Sequence, residues 1–294
     1  MIEHRRQPDA DPVDLVLTAL VASIESPRVI DVGGGSGTRA VPLALAGCQL
    51  TVVDSSADAL AILHRRAEDA GVADRVTGIQ ADAESLAQVV SPGSADLVLC
   101  HHLLEEVDDP GAVVFALAAA VRPGGYVSVL TAGRLGAVLG QTLAGRFAQA
   151  RAMLADPNGR FADNDPLRRR YDTAAMGELL ADAGLRMQIV LGAGVLSGLV
   201  SGAARQAVPG GDHELARLEA EAALHPILRE IAADLHIVAR RPADGRSGVL
   251  DGQDEDAGGA TAAALDPAGR FGSPWGENSH DVGSAGGGAD GPPR

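Results

Sequence analysis

The amino-acid sequence predicts a parallel, doubly wound α/β fold, and three observations carry that prediction. Short β-branched runs recur along the first 131 residues, most of them followed by a stretch of helical periodicity; this is the pattern of strands joined by crossover helices. The first run breaks into Gly33, Gly34, Gly35, Ser36 and Gly37, as a strand does where it turns tightly into a helix. A chain of 294 residues, 46% apolar and 21% charged, is long enough to bury a large core in one or two domains.

The elements follow in order. Residues 14–24 read as a helix with Leu15, Leu17, Leu20 and Val21 as apolar positions, closed by Pro27. Residues 29–32 form the first strand, and a helical pattern resumes over 38–46. The cycle repeats as strand 50–53, helix 57–70, strand 76–80 and strand 97–100. Asp109 and Pro110 open an apolar helix over 111–121, and the turn Arg122, Pro123, Gly124, Gly125 leads into strand 126–131. Residues 133–172 leave the alternating pattern and read as a helical cover inserted over the sheet. Helix 173–183, strand 185–191, a helix over 214–233 interrupted by Pro226, and an antiparallel last strand 235–239 complete a seven-stranded sheet. The organisation is one domain over 1–241 and a tail over 242–294.

Composition excludes several classes. Cys48 and Cys100 lack any CxxC or CxxH spacing, which argues against a disulfide framework or a zinc site and for a reducing cytoplasm. Residues 1–14 are polar and hold no apolar signal core. Residues 187–204 carry no charge but contain four glycines, so they read as strand, loop and short helix rather than as a membrane span. The net charge is -15, of which the last 53 residues contribute nine acids against three arginines. Rich in Gly, Asp, Ala and Pro, that tail is expected to be disordered.

The chemistry concentrates at strand ends. Glycines after the first strand let a ligand approach the backbone, whose N–H groups face it. Asp31, just before them, would repel a pyrophosphate but suits a ligand that brings a cationic amino-acid end. Asp54 ends the second strand, placed to accept from both hydroxyls of a ribose, and Asp82 follows the third, placed to accept from an adenine amino group. Gly35, Gly37 and Ala40 also satisfy the GxGxxA form of a nicotinamide-binding loop, so a nicotinamide-dependent oxidoreductase and a non-catalytic cofactor-binding protein stand as alternatives.

With Asp31, the glycine loop, Asp54, Asp82 and the Arg-Pro-Gly-Gly turn in this order, residues 29–131 resemble the class I S-adenosylmethionine-dependent methyltransferases. The resemblance implies a Rossmann-like methyltransferase sheet and S-adenosylmethionine as cofactor. It places Gly33 and Gly34 at the methionine part, Asp54 at the ribose and Asp82 with Ala83 at the adenine, with Asp31, Gly35, Gly37 and Ser55 as further cofactor-binding residues. His101, after the fourth strand, falls beside the methionyl carboxylate or the transferring methyl and is the candidate catalytic residue. The segments LAGRFAQARAMLADPNGRF, LLADAGL and LHIVARRP are similar to the bacterial tRNA 5-carboxymethoxyuridine methyltransferases, which implies tRNA, through a carboxylate of its wobble uridine, as methyl acceptor.

Two departures touch that last point. Glu106 stands where that family commonly has Trp, and the arginine it uses near the cofactor carboxylate has only Arg5 or Arg6 as counterparts. Residues 134–170 hold seven arginines against Asp156, Asp163 and Asp165, a local excess that would attract a phosphate backbone or an anionic small molecule; the alternative is arginines pairing with local acids. Small-molecule O- or N-methylation is the other acceptor class. A carboxylate acceptor needs no base, whereas a hydroxyl or amine does, and His101 or His102 is the histidine in reach. His101, His102 and Glu105 have a spacing that a metal would accept, but a strand end beside the cofactor explains them better, and no metal is expected. His213, His225 and His236 read as surface or core histidines.

Overall fold

Polar side chains start most of the helices that cover the sheet, by accepting from the free N–H groups of the first turn. In the computed structural model, which describes residues 11–243, Asp11 caps α1 (Pro12–Val21) by accepting from the Val13 N–H at 2.9 Å, with proline in the first turn. There follow β1 (Arg28–Val32), α2 (Ala40–Leu45), β2 (Gln49–Asp54), α3 (Ala57–Asp69), β3 (Val76–Gln80), α4 (Leu86–Val89), β4 (Ala95–His101), α5 (Pro110–Ala120) and β5 (Val121–Ala132). The cover is α6 (Arg134–Leu143) and α7 (Phe147–Ala155), after which come α8 (Thr173–Asp182), β6 (Arg186–Ala193), α9 (Gly202–Gln206), α10 (Gly211–Leu224) and β7 (Asp234–Arg240). Arg5, Arg6 and the tail expected to be disordered, from residue 244 on, lie outside the described residues.

The seven strands run in the order β3-β2-β1-β4-β5-β7-β6. β7 is antiparallel to both of its neighbours, β5 and β6, and the other pairings are parallel, as the sequence predicts. One face packs Val98, Cys100, Val127 and Val129 under α5 and α8. The other packs Val29, Leu50, Val52, Leu97 and Leu99 under α1, α2 and α3. Crossovers leave β1 and β4 in opposite directions, so a crevice opens at their carboxyl ends, where open α/β sheets place ligands.

The structure corrects two local readings and shows the break expected at Pro226. The helix expected over 214–233 stops at Leu224, because Pro226 offers no N–H to continue it, and a 3-10 turn over Leu228–Ile231 leads into β7. The Arg-Pro-Gly-Gly segment lies inside β5: Val121 pairs with Ala95, Tyr126 pairs with Leu97, and the residues between bulge out so that Arg122 reaches Asp96 at 2.6 Å. Between β3 and β4 the sequence reading had no helix, where a 3-10 turn over Ala83–Ser85 and the one-turn α4 are found. The uncharged segment 187–204 is the strand, loop and short helix expected, and no helix among the described residues is long and apolar enough to cross a membrane.

Candidate active site

The glycine loop after β1 is built around a buried acid. Asp31 is 4% exposed and lies directly beneath Gly34: a Cβ there would stand 2.5 Å from the Asp31 carboxyl carbon and 2.9 Å from Val52. Gly33 and Gly35 adopt left-handed φ of 73° and 54°, which side chains resist. A Cβ on Gly35 would have only Asp54 near it, at 3.8 Å, so this side of the loop is open to a ligand. Gly37 serves packing instead, since a Cβ there would collide with Leu63 of α3.

Asp54 organises the next element. One carboxylate oxygen accepts from the Gly35 N–H at 2.8 Å and the other from the Ser56 N–H at 2.9 Å; each keeps acceptor capacity for one more donor. Ser55 is exposed and takes part through its carbonyl, which accepts from the Gln80 side chain at 3.2 Å. Asp82 is exposed and starts the 3-10 turn without a hydrogen bond from its side chain to that turn. Its carboxylate is therefore available beside the half-buried Ala83.

Burial pushes the Asp31 carboxyl up to about 7, against the opposing Arg39 guanidinium and with a further push from Asp54. Arg39 was missed by the sequence reading. It stands at the N-terminus of α2, where a cation opposes the helix dipole, and that misfit is the signal that marks it. Its guanidinium pairs with Asp11 at 3.0 Å and with Asp14, and its charge is felt at Asp31, His101, His102 and His236.

His101 ends β4. Its Nε2 is 2.9 Å from the Ser128 hydroxyl, which is 2.8 Å from His236 Nε2. Both Nδ1 atoms are buried and without a hydrogen-bond partner among the described residues. Burial holds His101 well below the ordinary histidine value, with His236, Arg39 and His102 acting the same way; burial also takes His236 down to about 3. His102, with a left-handed φ of 54°, is instead raised by its hydrogen bond with Glu105, at 3.2 Å. Glu105 is 1% exposed and also accepts from the Ala132 N–H at 2.7 Å. Among the described residues no group of three His, Cys, Asp or Glu side chains has a metal-holding arrangement.

A family described as a methyltransferase domain matches residues 1–189. The chain belongs to that family. Its sheet is that of the class I S-adenosylmethionine-dependent methyltransferases. It is 35% identical over 126 residues to a ubiquinone biosynthesis O-methyltransferase of Cupriavidus pinatubonensis, covering 43% of this chain and 49% of that protein. It is 34% identical over 125 residues to the tRNA 5-carboxymethoxyuridine methyltransferase of Escherichia coli, covering 42% and 48%. The chain thus spans about half the length of the curated relatives it matches. Magnesium protoporphyrin IX methyltransferase from Synechocystis, solved with bound S-adenosylhomocysteine, shares the fold with a TM-score of 0.52 at 17% identity, over 78% of this chain and 81% of that one.

The expected basic cover is not a free patch. Arg168 pairs with Asp108. Arg169 donates to the carbonyls of Leu104, at 3.1 Å, Val107 and Asp108. Arg170 grips Asp165 with two nitrogens at 2.9 and 3.0 Å. Arg134 and Arg160 are likewise spent on backbone carbonyls of the cover, and Arg146 on Gln141. Arg168 and Arg169 fasten the insertion to the loop after β4, and Arg134, Arg146, Arg160 and Arg170 bond within the cover, so local pairing is what the structure holds for these six.

Proposed function

We propose that this chain transfers a methyl group from S-adenosylmethionine to a hydroxyl oxygen of a small, largely apolar acceptor. The observation that carries the reading is the His101 imidazole at the carboxyl end of β4, whose Nδ1 has no hydrogen-bond partner among the described residues and whose desolvation favours the neutral ring. A hydroxyl acceptor must lose a proton as the new bond forms, and a carboxylate need not.

The glycine cradle fits the cofactor: a buried acid at Asp31, an open Gly35 and an Asp54 carboxylate that keeps acceptor capacity. Asp31 binds the α-ammonium, and Arg39 is the cation within reach of the carboxylate. Asp54 takes the ribose hydroxyls, with Ser55 at its edge, and Asp82 and Ala83 hold the adenine. S-adenosylmethionine supplies an electrophilic methyl on a sulfonium. The protein's part is then to align the acceptor oxygen, exclude water and hold the departing proton at His101. The cover supports an apolar acceptor: α6 carries Leu135, Val138 and Leu139 along one stripe, all half-buried.

The tRNA carboxylate reading rests on the E. coli relative, but the arginine run no longer supports it. Incubation with methyl-labelled S-adenosylmethionine separates the two. Label on 4-methylcatechol, an apolar catechol probe without a carboxylate, supports the hydroxyl reading. Label confined to wobble nucleosides of bulk tRNA, found by mass spectrometry of the digested RNA, overturns it.

A further inference from the structure

We infer that a cavity at the amino ends of β1, β2 and β3, at the opposite end of these strands from the glycine loop, is a second ligand site that takes a phosphomonoester on a flat apolar body. The inference stands apart from the methyl-transfer reading, because it uses none of the residues placed at the cofactor or the acceptor.

The cavity exists because the crossover from β3 to β4 is short. α4 has four residues, about 6 Å of helix, and Leu86 is the one buried among them. Beside it the sheet is left open as a cavity of about 340 Å³, within the size range of small-molecule sites. Strand alternation decides what lines it, since residues two apart share a face. Arg28 pairs with Gln49, Ile30 with Thr51, and Thr51 with Thr77. A basic and polar row at the strand ends thus gives way to an apolar floor of Ile30 and Ile79, with Val90 facing it.

Charge selects the occupant. The chain carries a net charge of -15, yet among the described residues no Asp or Glu lines this cavity, while Arg28 and Arg75 do. Arg75 ends the 3-10 turn Ala73–Arg75 ahead of β3 and is half-buried. It enters none of the ion pairs among the described residues. Arg28 lies near Asp96, but its guanidinium stays 3.6 Å from that carboxylate, which already accepts from Arg122 Nε at 2.6 Å and from the Arg28 backbone N–H at 2.8 Å. Both guanidiniums therefore keep donors for an anion. β1 and β3 stand two strand spacings apart, about 10 Å, with Gln49 between them, so the two arginines can approach one group from both sides. Thr51, Thr77, Ser91 and Ser94 add hydroxyls around it. Two cations and this many donors exceed what the single charge of a carboxylate matches. They suit a phosphate, which carries about 1.5–2 negative charges at pH 7 and three acceptor oxygens. The apolar floor, between the sheet and Val90, takes the rest of the ligand.

The test uses the full chain saturated with S-adenosylhomocysteine, so that the crevice at the carboxyl ends is filled, and follows 1-naphthyl phosphate by calorimetry. The expected result is one saturable site per chain that weakens as salt rises, with 1-naphthol and inorganic phosphate each binding at least tenfold more weakly. Arg75→Gln is expected to lower affinity for 1-naphthyl phosphate at least tenfold. Thr77→Phe, which fills the cavity from an exposed position on the edge strand, is expected to abolish binding. Both variants should keep the wild-type circular dichroism and affinity for S-adenosylhomocysteine. No saturable binding of 1-naphthyl phosphate overturns the site, and so does wild-type affinity in either folded variant. 1-Naphthol binding as tightly as its phosphate would make the cavity an apolar cleft and overturn the anion site. Binding of 1-naphthyl phosphate only when S-adenosylhomocysteine is left out would put the anion in the cofactor crevice and overturn it as well.

Discussion

Replacing Asp31 with Asn separates what the buried acid costs the fold from what it gives the ligand. The carboxyl is 4% exposed and titrates at about 7 instead of its ordinary 3.8. An acid whose native pKa lies above its unfolded value binds more protons folded than unfolded between these two pH values, so its contribution to stability falls as pH rises through that window. About three pH units at ~1.4 kcal/mol each set a ceiling of about 4 kcal/mol on the cost of keeping Asp31 ionised. The Asp31→Asn variant, nearly the same shape, should therefore match the wild type near pH 4 and be more stable at pH 8, by up to that amount in urea denaturation. Binding should move the opposite way. With a pKa near 7, roughly a tenth of Asp31 is ionised at pH 6 and roughly nine-tenths at pH 8, so wild-type affinity for S-adenosylhomocysteine should rise about ninefold over that range. In the variant it should be flat with pH, and weaker at pH 8 by about 1.5–3 kcal/mol, the range for a hydrogen bond to a charged group. A variant less stable than wild type at pH 8, or binding as tightly with the same pH slope, would refute the assignment of Asp31 as a buried anion awaiting a cationic ligand group.

Other outcomes follow from the same geometry. Asp54→Ala should weaken S-adenosylhomocysteine binding by about 1–3 kcal/mol in calorimetry, while circular dichroism shows an unchanged fold; undiminished affinity would remove Asp54 from the ribose site. Gly34→Ala should abolish binding, because its Cβ would stand 2.5 Å from the Asp31 carboxyl carbon, and normal affinity would mean the loop relaxes freely. Arg170→Ala strips a partner from Asp165, whose side chain is 0% exposed. Burial alone would raise that carboxyl, but Arg170 and the N–H groups of Phe161 and Leu167 hold it below its usual value. The loss should be about 3 kcal/mol of stability, with affinity for S-adenosylhomocysteine unmoved.

What could be read directly from the chain was whatever is local. The β-branched runs, the glycines after Val32, and Asp31, Asp54 and Asp82 at successive strand ends announce themselves through spacing, and the structure puts Asp31 beneath the glycine loop and Asp54 on its Gly35 N–H. Pairings across the sheet could not be read that way. Ser128 and His236 are 108 residues apart in sequence and meet only because β5 and β7 are neighbours; polar residues at inward positions of otherwise apolar strands were the faint signal. The arginines at 168–170 looked like a patch because their partners are distant backbone carbonyls and Asp108, which charge counting does not see. Arg39 was masked by the glycines beside it.

The central claim is that the glycine loop, Asp31 and Asp54 form an S-adenosylmethionine site rather than a dinucleotide site. Isothermal titration calorimetry of the purified chain against S-adenosylhomocysteine and NAD at pH 8 tests it most directly. The account predicts saturable one-site binding of S-adenosylhomocysteine that Asp54→Ala weakens, and no heat of binding with NAD. Saturable binding of NAD with none of S-adenosylhomocysteine would contradict it.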